Sequence, residues 1–301
     1  MPLPLLAEHF ARPPDWGVWI LLYFFFAGLA GGAYVIATLV RLRGGDGPVA
    51  RTGYLLAFPC VLLCPIFLTV DLGQPLRFWH MMVNTSPGGL GLNFNTATPM
   101  SLGVWALLVF GFFTFVSFLA ELGLLPFLRA GVALGTLFAL VGSIFGLFIA
   151  GYTGVLLSVS NQPVWSDSPV LGGLFLASGM SGAAAAIWLL GGRRGPVAAG
   201  DFEGLEVAAA YFAVLELLLL LVFFITVAIA GSLGTALRLP WTLLWLLALI
   251  GMVLPLAGLG RRGVAVDRGG AAVLTGNATL VSVVVLVGVL ALRAAVISSA
   301  Q

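Results

Sequence analysis

The sequence predicts an all-α, polytopic membrane protein of eight transmembrane helices, and three observations carry that prediction. First, 61% of the 301 residues are hydrophobic and only 8% are charged, with a mean hydropathy of +1.14. Soluble domains are about 45–50% apolar and about 25% charged, so these charges are too few to cover a surface in water. Second, eight stretches reach the roughly 20 apolar residues that a helix needs to cross the hydrocarbon core. Third, the arginines alternate between loops in a way that sets an orientation.

The eight stretches are 17–40, 53–71, 99–122, 130–157, 169–190, 205–230, 241–260 and 271–293, each bounded by Pro, Gly or Arg. Ahead of the first, Glu8, Arg12, Pro13, Pro14 and Asp15 do not form the basic start and apolar run of a cleavable leader, so the first helix is expected to act as the targeting signal. The second holds Cys60 and Cys64 one turn apart. Two thiols cannot complete a tetrahedral metal site, and both read as packing residues. The first and fourth carry Gly28/Gly32 and Gly142/Gly146, spacings that allow helices to approach closely in lipid. Helices five to eight are mostly Leu, Val and Ala, with Glu216 the exception, and no internal repeat is evident.

All 13 basic residues are arginine, and the net charge of +2 gives no pull toward nucleic acid. The loops after helices one, three, five and seven hold nine of them: Arg41, Arg43, Arg51, Arg129, Arg193, Arg194, Arg261, Arg262 and Arg268. The other side holds four, Arg12, Arg77, Arg238 and Arg293. The positive-inside rule then places both termini outside, in the periplasm of a bacterium, with the protein in the inner (cytoplasmic) membrane. On that outer side, residues 72–98 form a long polar loop and residues 158–168 a shorter one. Long ordered loops usually carry function. Phe78, Trp79, Phe94 and Trp165 point to a docking surface for another subunit, an interfacial aromatic belt being the competing explanation.

The chemistry available is narrow. Haem in a bundle takes axial ligands, usually histidines on facing helices; His9 precedes the first helix, His80 lies in the loop after the second, and neither falls in a span. There is no cysteine cluster for iron–sulfur, no Gly-rich phosphate loop and no nucleophile motif. Ionisable groups within spans are functional candidates by default. Asp71 ends the second helix, where it either relays protons or pairs with Arg77. Glu216 lies near the middle of the sixth and needs a proton or a hydrogen-bond partner. Arg293, near the end of the eighth, either snorkels or pairs with an acid. Tyr23 and Tyr152 each offer one directional hydrogen bond, which suits a quinone carbonyl and equally suits a membrane-interface belt.

Several of these features fall in a familiar order. The first helix carries Trp19-x-x-x-Tyr23-Phe24-Phe25, followed by Gly28-x-x-x-Gly32. Then come Asp71-Leu-Gly-x-Pro75-x-Arg77-Phe78, Asn95, Thr98-Pro99-Met100-Ser101-x-Gly103-x-Trp105, Tyr152-Thr153-Gly154 and a late Leu292-Arg293. The sequence resembles the NrfD/polysulfide reductase (PsrC-like) family of quinone-reactive membrane subunits over nearly its whole length. The resemblance implies a haem-free subunit of eight helices in two four-helix bundles, 1–168 with the quinone site and outer docking loops and 169–301 behind it. It implies menaquinone or ubiquinone as cofactor and no haem or metal in this chain. The partners implied are the lipid bilayer, a ferredoxin-like iron–sulfur subunit and, through it, a molybdopterin catalytic subunit. The activity implied is quinone/quinol oxidoreduction as part of a complex, not by this chain alone. Tyr23, Asp71 and Tyr152 match positions linked to quinone turnover, and Tyr152 with His80 or Tyr23 is expected to hydrogen-bond the head group; Glu216 and Arg293 match an acidic and a C-terminal basic position. The sequence departs from some members at Ala209, in the region where they carry a second acid, which puts in doubt a proton route to the inner face through the sixth helix. A secondary transporter and a purely structural membrane anchor are the rival readings; the transporter lacks its paired midplane charges and inverted repeat.

Overall fold

The computed structural model describes residues 14–44, 47–84, 91–95, 98–128, 133–191, 199–256, 264–266, 272–274 and 276–301. The helices are α1 (Val18–Leu42), α2 (Pro48–Asp71), α3 (Pro99–Glu121), α4 (Ala133–Ser158), α5 (Leu171–Gly191), α6 (Ala199–Ile229), the four-residue α7 (Leu233–Ala236), α8 (Trp241–Leu256) and α9 (Gly276–Ser298). Among the described residues, seven of them, all but α7 and α8, are long and apolar enough to cross a membrane, which makes this a polytopic membrane protein. The seventh predicted span, 241–260, corresponds to α8, whose 16 residues rise about 24 Å; the last four residues of that span lie outside the described residues. Pro255 stands one residue before its end, where a proline removes a ladder hydrogen bond. The irregular segments also contain two small antiparallel ladders, β1 (Val83–Asn84) with β2 (Gly91–Leu92) and β3 (Val264–Val266) with β4 (Ala272–Leu274).

α1 is the centre of the structure. It packs against α2, α4, α5 and α9, while α5 packs in turn against α4, α6 and α9. A helix surrounded in this way is apolar on all sides, and the middle of α1 is a buried run from Ala27 to Thr38. Small residues make the approach possible. A Cβ on Gly31 would strike the Gly146 carbonyl, and one on Gly32 would lie 2.7 Å from the Gly179 carbonyl oxygen. The glycine spacings in the first and fourth helices are therefore the contact faces of α1 with α4 and α5.

The two ends of the bundle differ. At the end where α1 and α3 finish, Arg41 forms an ion pair with Glu121 and stacks over the Tyr54 ring at 4.7 Å. Behind it, Tyr54 bonds Thr38 at 2.9 Å, and Tyr34, seated against Gly142, bonds Ser117 at 2.8 Å. These groups tie α1, α2 and α3 with hydrogen bonds that the lipid could not supply. At the opposite end, the Trp16 amide donates to the Gln301 side-chain oxygen at 3.0 Å and the Gln301 amide donates back to the Trp16 carbonyl at 3.1 Å, so the first and last described segments meet.

Trp165 departs from the expected docking surface. It is fully buried, stacks on Trp16 at 5.2 Å, and donates its indole N–H to the Val296 carbonyl at 2.6 Å. The 158–168 loop folds inward because Asp167 accepts both the Val164 amide and the Ser232 hydroxyl, which holds Val164 at φ 69° in the left-handed region. Phe78, Trp79 and Phe94 in the longer loop stay exposed. His9 and the arginines 12, 129, 193, 194, 261, 262 and 268 used for orientation lie outside the described residues.

Candidate ligand-binding site

Three of the six residues singled out from sequence line one cleft. It has a volume of about 760 Å³ and opens at the Asp71 end, between the start of α1, the end of α2, the start of α3 and the end of α4. Tyr23 comes from α1, Asp71 from α2 and Tyr152 from α4; Trp16, Phe24, Leu68, Met100 and Leu107 supply apolar wall. The up-and-down order brings them together, because helices running in alternate directions return to the same end every second crossing. An apolar wall with a few convergent polar groups is the usual lining of a small-molecule site.

The polar groups in the cleft are in different states. The Tyr152 hydroxyl donates to the Pro99 carbonyl at 2.6 Å, and its ring lies on Gly103, where any Cβ would collide with it. Its proton is therefore committed to the first turn of α3. The Tyr23 ring is buried and packed at a tilt against Phe24, and among the described residues its hydroxyl has no hydrogen-bond partner. Asp71 is likewise without a hydrogen bond or ion pair among the described residues; the pairing with Arg77 considered from sequence does not form. A phenol and a carboxylate therefore line an apolar cleft with hydrogen-bonding capacity unspent among the described residues. An unspent hydroxyl on the buried Tyr23 is costly and points to something that satisfies it, whereas Asp71 is only partly buried at the rim.

The remaining three candidates lie elsewhere. His80 sits in an exposed cleft next door, with Arg77, Asn93 and Asn95, where it stacks on Trp79 at 3.8 Å and bonds the Arg77 carbonyl at 3.3 Å. The two clefts share Leu72, Met81 and Met100, so His80 stands at the approach and not on the wall. Arg293 corrects the snorkelling alternative. It is 0% exposed, and its guanidinium donates to the Phe24 carbonyl at 3.2 Å, the Phe175 carbonyl at 3.1 Å, the Val289 carbonyl at 3.2 Å and the Ser178 hydroxyl at 2.7 Å. Gly28 leaves the space its terminal nitrogen occupies. Glu216 is 1% exposed, and both of its carboxylate oxygens lack hydrogen-bond partners among the described residues, with Arg293 the charge that acts on it.

Several contributors are not visible to sequence reasoning as site residues. Pro99 and Gly103 hold Tyr152, and both stand in plain view within the 98–105 motif. Asn93 carries no such signal: its carbonyl accepts from Ser101 at 3.3 Å and from the Trp105 indole at 3.1 Å, which closes the loop onto α3 beside the cleft. Glu206 lines a separate cavity of about 860 Å³ with Ser181, Trp188 and Ser282 at the far end of α5, α6 and α9. It lies one turn before Ala209, where the sixth helix otherwise lacks an acid.

The fold defines a polytopic membrane protein with an apolar cleft at one end of its first four helices. More narrowly, the protein belongs to the NrfD family, described as polysulphide reductase, NrfD, whose sequence model matches residues 7–301. It is 29% identical over 189 residues to the C chain of the polysulfide reductase of Wolinella succinogenes, an alignment that covers 57% of this chain and 56% of the relative. It is 34% identical over 86 residues to the C subunit of the tetrathionate reductase of Salmonella typhimurium, 28% of this chain and 25% of that one. Protein NrfD of Escherichia coli is 27% identical over 187 residues, 57% of each chain. The alignments span little more than half the length of these curated relatives at most.

Proposed function

We propose that this protein is the quinone-reactive membrane subunit of a respiratory oxidoreductase complex in the bacterial inner membrane, with both termini on the periplasmic side. The observation that carries the reading is the Tyr23 hydroxyl and the Asp71 carboxylate, both without partners among the described residues, on the wall of one apolar cleft. A quinone head group fits that wall: it is flat and apolar, with carbonyl or hydroxyl oxygens that need one donor or acceptor each. When bound, menaquinol or ubiquinol would supply two electrons and two protons.

The residues of this protein then have separate tasks. Tyr23 holds an oxygen of the ring by its free hydroxyl. Asp71, at the rim, takes up or delivers the proton exchanged there and passes it to the outer aqueous side. Tyr152, its hydroxyl engaged with Pro99, forms a wall and can only accept a hydrogen bond unless it turns away. The exposed loop with Phe78, Trp79 and Phe94 beside the cleft is the docking face for an iron–sulfur, ferredoxin-like subunit, which would link to a molybdopterin catalytic subunit. Relatives named as the C component of a polysulfide or a tetrathionate reductase favour partner subunits for this chain. With bundles of 1–168 and 169–301, the whole site belongs to the first.

The test is quinol-dependent turnover of the assembled complex with Asp71→Asn, an isostere that keeps the shape and cannot take the proton. Loss of turnover by a factor of at least about 100, with assembly intact, is expected from the usual weight of general acid–base groups. Full turnover removes Asp71 from its role. A structural anchor predicts instead that quinone analogues leave the activity of the complex unchanged.

A further inference from the structure

The cleft has two routes to the lipid, and they differ. On one side lies a groove of about 1040 Å³ between α2 and α3, sharing Leu68, Leu72, Met81, Val104 and Leu107 with the cleft. On the other lies a second groove between α3 and α4, lined by Leu102, Leu147 and Phe148. Tyr152 belongs to the walls of both the cleft and this second groove. Its ring on Gly103 and its bond to Pro99 close the space between α3 and α4.

The α2–α3 groove is open. No charged side chain is among its lining residues, and Thr69 is its one polar side chain among the described residues. Its outer lips, Leu62 at 52% and Leu108 at 51% exposure, face the surrounding lipid. From Leu68 at the cleft to Phe58 at its far end the groove follows α2 for about 15 Å. Its floor is Gly111, where an added Cβ would meet only Val61 at 3.6 Å. The short 3-10 helix Pro75–Met81 roofs it at the rim with Phe78 and Met81.

We infer that the α2–α3 groove is the lateral doorway and tail channel of the site, taking the long apolar tail of the same quinone whose head group occupies the cleft. The inference rests on the quinone reading above and deepens it: the substrate is a long-tailed quinone that enters from lipid past α2 and α3, and the α3–α4 side is shut. The continuity of the groove with the cleft selects this occupant, because a tail attached to a head group at Tyr23 and Asp71 has one unobstructed apolar path away from it.

The test compares KM for menaquinol-4 and for menadiol, the same ring without a tail, on the detergent-solubilised complex. Gly111→Leu places a side chain on the groove floor, at a helical position where leucine is also the better helix former. Leu108→Trp fills the lipid-exposed lip and serves if Gly111→Leu does not assemble. Leu147→Trp fills the α3–α4 groove as the control. The expected result is a rise of about ten-fold in the menaquinol-4 KM with either plug, the loss of roughly two buried methylenes' worth of contact. Menadiol KM should stay unchanged, and Leu147→Trp should move neither. The inference is overturned if both plugs leave menaquinol-4 unmoved or if Leu147→Trp moves it instead. If the unaltered complex turns over neither quinol, the quinone reading itself fails, and this one with it; turnover of both with no effect of any plug defeats the doorway alone.

Discussion

At the rim of the first four helices, polar side chains face space; in the seam between α1, α5 and α9, they face protein. Tyr23 and Asp71 at the rim have no partner among the described residues, whereas Arg293 in the seam spends its guanidinium on three carbonyls and a hydroxyl. Both regions would be flagged alike by the rule that ionisable groups inside a membrane are functional. The difference shows that the rule needs a second question, namely whether the group's hydrogen bonds are already used. Arg293 stitches the last helix to the first and fifth, close behind the Phe24 wall of the cleft. Glu216 falls between the two cases, since it is buried like Arg293 and bare like Asp71.

The comparison is most readily broken at Arg293. Arg293→Leu should leave the Phe24, Phe175 and Val289 carbonyls and the Ser178 hydroxyl without their donor. Leaving buried hydrogen-bond acceptors unsatisfied costs about 1–3 kcal/mol each, so the variant should lose most of its monodisperse yield or melt far earlier in detergent. A folded Arg293→Leu with normal melting would show that the seam does not depend on it. Next in size is the effect of Asp71→Asn, which should fall on turnover and leave melting within the range of ordinary surface changes, about 0.5 kcal/mol.

The two tyrosines of the cleft sharpen the contrast on a finer scale. Tyr23→Phe removes a hydroxyl that no described protein group uses, so stability should hold while quinone-analogue affinity falls by about ten-fold, the worth of one hydrogen bond near 1.4 kcal/mol. Tyr152→Phe removes the Pro99 contact and should instead lower stability by about 1 kcal/mol with a smaller change in affinity. The reverse pattern, measured by melting and analogue titration side by side, would exchange their roles. The smallest effect is expected at Tyr34, whose hydroxyl pairs with Ser117 at the other end of the bundle. Tyr34→Phe should cost about 1 kcal/mol of stability and leave KM for quinol unchanged.

How far the sequence can be read depends on the kind of signal. Spans announce themselves by composition, because lipid demands some 20 apolar residues in a row. Tyr23, Asp71 and Tyr152 are legible one by one as polar letters in apolar words, and their motifs carry the family. That Trp165 turns inward is not legible, because an aromatic residue in a polar loop looks the same whether it meets a partner or its own protein. The Val296 carbonyl that receives its N–H is 131 residues away. The Tyr34–Ser117 and Arg41–Glu121 contacts escape sequence reading for the same reason, as each joins helices some 80 residues apart.

The sequence by itself determined that this protein lives in a membrane, where its helices run, and which few side chains can carry chemistry, since these follow from local composition and the solvent it must meet. Tertiary structure alone decided which of those side chains share a space and which spend themselves on packing. Hydrogen-bond partners and cavities are made by residues far apart in sequence, and whether a polar group is left with bonds to offer depends on every helix that closes around it.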